Sequence, residues 1–129
     1  MKGQTSLEFI VLIGIIFSIF AVAFYAAIVS GNGIAEDNEA ADARRIGSSV
    51  AGEINLAVAV GRGYAHNFYL PKLLYDGTDY SLNFTESRFL YVLWKNRSYS
   101  LPLLSENITG SIKKGKNTIK NTGGVISFE

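Results

Sequence analysis

The sequence predicts an α+β chain: a long N-terminal helix, apolar in its first half and amphipathic in its second, packed on a small C-terminal antiparallel β domain. Three observations predict it. Phe9 to Val29 carries no charge, and Ser18 is its only clearly polar side chain. Apolar residues then recur at i, i+4 spacing through Ile46, Val50, Ile54 and Ala57. Beyond Gly63 the period changes to two, as in Tyr80, Leu82 and Phe84 alternating with Ser81 and Asn83.

The apolar run is long enough to cross a membrane. At about 1.5 Å rise per residue, ~20 helical residues span a hydrocarbon core of roughly 30 Å. Glu8 stands at its mouth, and a carboxylate in hydrocarbon costs about 2.5–3.5 kcal/mol at mid-bilayer, less near the rim. Thr5-Ser6-Leu7-Glu8 fits a capping box, in which Glu8 bonds back to the N-cap amide and suits the positive end of the helix dipole. Lys2 precedes the run, whereas Glu36, Asp37, Glu39 and Asp42 follow it before any basic residue. Positive-inside bias therefore places the N-terminus in the cytoplasm and the bulk of the chain outside. Gly14, Ser18, Ala21, Ala23, Ala26 and Ala27 are small residues that let helix backbones approach closely. The same composition also suits a plain anchor.

Gly31-Asn32-Gly33 favours a C-cap or turn, or a soft point in a longer helix. Residues 34–60 form the amphipathic second half, ending at Gly61-Arg62-Gly63, with Glu39, Asp42, Arg45 and Glu53 on a solvated face. Phe89–Trp94 is continuously apolar and suggests a central strand covered on both faces. Tyr99, Leu101 and Leu103 alternate again, and Val125–Phe128 makes a closing strand. Asp76-Gly77, Lys95-Asn96-Arg97, Lys113–Lys116 and Asn121–Gly124 carry turn chemistry. Pro71 and Pro102 suit strand ends or edges.

Composition narrows the function classes. The 129 residues suit one domain plus its anchor. Removing Lys2 from twelve basic residues leaves eleven, against eleven acidic. That balance argues against a nucleic-acid footprint and does not oppose self-association. The absence of cysteine excludes disulfides and thiolate metal sites. His66 sits at a helix-to-strand connection and reads as a partly exposed loop histidine rather than a ligand or catalyst. No nucleotide loop, HExxH helix, nucleophile elbow or catalytic carboxylate pair appears, so neither enzymatic activity nor a cofactor is expected. Tyr91, Trp94 and Tyr99 read as core or cross-strand aromatics before a ligand platform. Three N-x-[ST] sequons begin at Asn83, Asn96 and Asn107.

Gln4, Ser6, Glu8 and Phe9, behind the short leader end Lys2-Gly3, form a Q-x-S-x-E-F motif directly before the apolar run. This segment resembles the class III signal peptide of archaeal type IV pilins. An ordinary secretory signal is cut after its apolar region. The resemblance implies cleavage between Gly3 and Gln4 by a prepilin peptidase, which removes residues 1–3 and retains the apolar run. It further implies a helix over 4–60 with a membrane or filament-core segment at 9–29, a head at 64–129, and assembly through Glu8 and Phe9. The partners implied are the membrane before assembly, the pilus assembly machinery, other copies in a helical filament, and N-linked glycans on the head. Tyr69-Leu70-Pro71, the Tyr80 strand, Leu101-Pro102-Leu103 and Gly123–Ile126 resemble archaeal pilin heads more loosely. The function implied is adhesion or surface attachment; a singly anchored surface binder and an archaellin-like motility subunit are the alternatives.

Overall fold

The computed structural model describes the backbone of residues 2–85 and 88–129. One helix, α1 (Lys2–Val60), is followed by β1 (Ala65–Leu70), β2 (Ser81–Thr85), β3 (Phe89–Trp94), β4 (Arg97–Pro102), β5 (Ile108–Thr109), β6 (Gly115–Thr122) and β7 (Val125–Phe128). The chain divides into two compact units, Met1–Asp37 and Asn38–Glu129. The α+β expectation holds. The helix is not interrupted at Gly31–Gly33: α1 passes through them, so their turn propensity is overridden by the helical residues on either side.

In the second unit the strands form two sheets rather than one, in the orders β1-β6-β7-β5 and β2-β3-β4. All pairings are antiparallel except β5–β7, where Ile108 and Thr109 run parallel to Ile126 and Ser127. The predicted stripe is the buried one: Ile46, Val50, Ile54 and Ala57 of α1 join Leu70, Leu90, Val92, Trp94, Ile119, Ile126 and Phe128 in one core. Phe128 of β7 stacks on Phe84 of β2 at 5.8 Å and meets Phe68 of β1 edge-on at 6.2 Å, which ties the two sheets together. Gly47 lets the helix sit close to the second sheet: a Cβ there would lie 2.6 Å from Leu101 Cδ1 and 2.7 Å from Val92 Cγ2.

The helix ends through a left-handed Gly61 (φ 86°), whose amide bonds the Ala57 carbonyl at 3.2 Å. Asn121 of β6, though buried, is satisfied on both sides. Its Nδ2 donates to the same Ala57 carbonyl at 2.8 Å and its Oδ1 accepts from Gly124 N at 2.9 Å. The expected turns at Asp76-Gly77, Lys95-Asn96 and Gly123-Gly124 are present, the last closing the β6–β7 hairpin with both glycines at positive φ.

Several expectations are corrected. Phe89–Trp94 is a central strand covered on one face: Leu90, Val92 and Trp94 are buried, while Phe89 and Leu93 are exposed. The polar side of α1 is not simply solvated. Glu39 is buried (6% exposed) and takes Lys95 Nζ from the β3–β4 turn, Asp42 accepts from Tyr75 N at 2.8 Å, and Glu53 accepts from His66 and Tyr64. His66 lies in β1 rather than in a loop. Lys116 belongs to β6, as do Asn121 and Thr122, so the flanking turns are shorter than their composition suggests.

Candidate membrane and assembly segment

The first unit is a run of helix with its apolar side chains uncovered. Every residue from Gly3 to Gly31 is exposed within the chain, including Phe9, Phe17, Phe20 and Phe24. In water that surface carries a large penalty, at roughly 25 cal/mol per Å² of apolar area. α1 contains one segment long and apolar enough to cross a membrane, with mean hydropathy 2.7 and none of it buried within the chain. Ser18, the polar side chain in that run, needs no outside partner, because its Oγ donates to the Gly14 carbonyl at 2.8 Å.

Gly3, Gln4, Glu8 and Phe9 all lie within α1 and all are exposed. In the uncleaved chain Thr5 does not stand at the helix end. The helix already includes Lys2, Gly3 and Gln4, which puts Thr5 inside it rather than at an N-cap. Glu8 and Phe9 are adjacent in sequence and therefore point about 100° apart around the helix.

The three sequon asparagines fall in the second unit, and each is exposed. Asn83 lies in β2, Asn96 in the β3–β4 turn and Asn107 just ahead of β5. Among the described residues, no group of three or more His, Asp or Glu side chains could hold a metal ion. His66 Nδ1 lies 3.0 Å from Glu53 Oε2, and Tyr64 Oη donates to the same oxygen at 3.2 Å. Burial, followed by the Glu53 carboxylate, raises the Tyr64 phenol above its ordinary value. This arrangement holds the start of β1 to α1.

A second polar cluster was not foreseen. Lys95 Nζ bonds Glu39 and lies 3.8 Å from Asp76 Oδ2, while Asp76 accepts from Thr78 Oγ1 at 2.6 Å and from Thr78 N at 3.0 Å. The Thr78 hydroxyl first, then the Thr78 amide and the Lys95 ammonium, hold the Asp76 carboxyl down at about 2. Tyr80 Oη donates to the Pro71 carbonyl, and burial, aided by Asp42 and Asp79, pushes its phenol up to about 12. These contacts fix the 71–80 loop against α1 and β3. The sequence signal for them was a run of acidic residues on one helix face, which equally describes a solvated surface.

Comparison with protein-family models, with curated proteins and with solved structures finds no match to this chain.

Proposed function

We propose that the chain is a structural subunit of a type IV pilus-like surface filament, cleaved between Gly3 and Gln4, held in the membrane, and assembled through its apolar helix. One observation carries the reading. A helix apolar enough to span a bilayer stays in register with the Gln4-Thr5-Ser6-Leu7-Glu8-Phe9 motif and has no covering partner inside its own chain. Lipid covers such a surface before assembly and neighbouring helices cover it afterwards. In this reading Glu8 pairs with the new Gln4 α-amine of an adjacent subunit, which neutralises both charges as the helix leaves lipid for protein. The head faces outside, where it serves adhesion or attachment and carries glycans.

Peptide mass analysis of the protein from its native host tests this. The expected result is Gln4 as the mature N-terminus with residues 10–29 retained, in protein recovered from filaments. An intact Met1-Lys2-Gly3 on surface protein overturns the processing step, and so does cleavage near Gly31. Correctly cleaved protein that never enters filaments supports the singly anchored binder instead.

A further inference from the structure

The outer face of the β2-β3-β4 sheet carries an apolar row down its central strand. Phe89, Tyr91 and Leu93 point away from the core, opposite in parity to buried Leu90, Val92 and Trp94. The Phe89 and Tyr91 rings are 6.4 Å apart. Register puts Asn83 of β2 directly across from Tyr91, and Ser100 and Ser98 of β4 across from Tyr91 and Leu93 on the other side. Asn83 begins the sequon Asn83-Phe84-Thr85 and is exposed on this same face.

We propose that Asn83 is an N-glycosylated residue and that the row centred on Tyr91 is the platform on which its glycan lies. Directly opposed residues on antiparallel strands have Cβ atoms about 4.5–5.5 Å apart. A sugar joined to Asn83 Nδ2 therefore starts beside the Tyr91 ring. One face of a pyranose is a sheet of C–H bonds, which packs on an aromatic face, while its hydroxyls reach the strand serines. The other two sequons lack this setting. Asn96 occupies a turn between Lys95 and Arg97, and Asn107 lies outside the strands. The attachment point inside the face identifies the occupant: it is the chain's own glycan, bound at high effective concentration through its covalent link.

The inference rests on the head facing outside. The glycan donor is a polyprenyl phosphate- or diphosphate-linked sugar, supplied by a membrane glycosyltransferase. A bond forms between Asn83 Nδ2 and the anomeric carbon, and the bond from that carbon to the phosphate oxygen breaks. Its electron pair leaves on the phosphate, and the amide nitrogen gives up one proton.

Full-length protein from the native host tests the proposal by glycopeptide mass analysis together with hydroxyl-radical labelling of tyrosines. The expected result is a glycan on Asn83, with Tyr91 labelled several-fold faster in Asn83→Gln and in Thr85→Ala than in the parent. Tyr75, which is almost fully exposed, is the internal control and keeps its rate. Asn96→Gln and Asn107→Gln leave Tyr91 unchanged. An unmodified Asn83 overturns the proposal, as does equal Tyr91 labelling with and without the glycan. Protection of Tyr91 that appears in Asn83→Gln only when filaments form also overturns it, since a second copy then covers the face. Because the mature N-terminus and filament recovery are measured on the same preparation, failure here is distinct from failure of the filament reading.

Discussion

Asn121 and Ala57, 64 positions apart in sequence, share a hydrogen bond of 2.8 Å that caps the last turn of α1 from the middle of a β-sheet. The Ala57 carbonyl already accepts from Gly61 N at 3.2 Å, and the buried side-chain amide takes its second lone pair. Replacing Asn121 by Ala removes that donor and also the acceptor used by Gly124 N. The expected cost is about 1–3 kcal/mol, the net worth of the two hydrogen bonds lost. A thermal or denaturant midpoint of the full chain measures it.

Two glycines of α1 give a paired test of packing. Gly52→Ala meets nothing within 4 Å, so it gains helix propensity and stabilises by about 0.5–1 kcal/mol. Gly47→Ala gains the same propensity, but its new methyl overlaps Val92, a fully buried and β-branched residue with no room to turn away. Overpacking of about 1–3 kcal/mol outweighs the gain, and the variant is less stable than the parent. Opposite shifts in the denaturation midpoints of the two variants are the expected outcome.

Lys95→Met leaves Glu39 buried without this cation. Losing one partner of a fully buried pair costs about 3–5 kcal/mol. Lys95 is half-exposed and water screens it, so the expected loss is smaller, about 1–3 kcal/mol. The double variant Glu39→Gln with Lys95→Met recovers much of it, and a double-mutant cycle reads the coupling.

Acid and alkaline limits follow from two groups in the same region. Asp76 is held at about 2, below the ordinary carboxylate. Its contribution is therefore present above pH ~3.8 and lost as pH falls through about 2. Tyr80 is raised to about 12, so its contribution is present below pH ~10 and lost as pH rises through about 12. Asp76→Asn is expected to flatten the acid limb of a stability–pH curve and Tyr80→Phe the alkaline limb. A variant that leaves its limb unchanged removes the assignment.

For Glu8, the filament reading and a purely local role separate cleanly. Glu8→Gln is expected to leave cleavage and membrane insertion largely intact while filaments fall sharply and processed subunit accumulates in the membrane. A capping role, open to the cleaved chain that starts at Gln4, predicts near-normal filaments, because Gln serves the same position of the box. Filament counts set beside the processed membrane pool distinguish the two.

The parts of the fold that were legible share one property: their buried positions are apolar. Ile46, Val50 and Ile54 announce their helix face, and Val125–Phe128 its strand. β6 was not recognised because its buried face reads Asn117, Ile119, Asn121, two amides around one isoleucine. Asn117 earns burial through bonds to Lys113 and Gly115 that no periodicity encodes. Glu39 was hidden for the same reason, its partner lying 56 residues away. At the N-terminus, the length of the apolar span was legible from the order of residues alone. The alignment of Asn83 with Tyr91 required the β2–β3 register.

The sheet order β1-β6-β7-β5 also sets a timetable. Its edge strands are synthesised before its central ones, and Ala65 waits for Lys120, more than fifty residues later, to find its neighbour. Until β6 and β7 emerge, the stripe of α1 has only the smaller β2-β3-β4 sheet to cover it. Distant pairings of this kind make folding slow and leave apolar surface open in the interval. A chain arrested before residue 115 thus lacks the centre of that sheet rather than its rim, and is a ready substrate for chaperones and proteases.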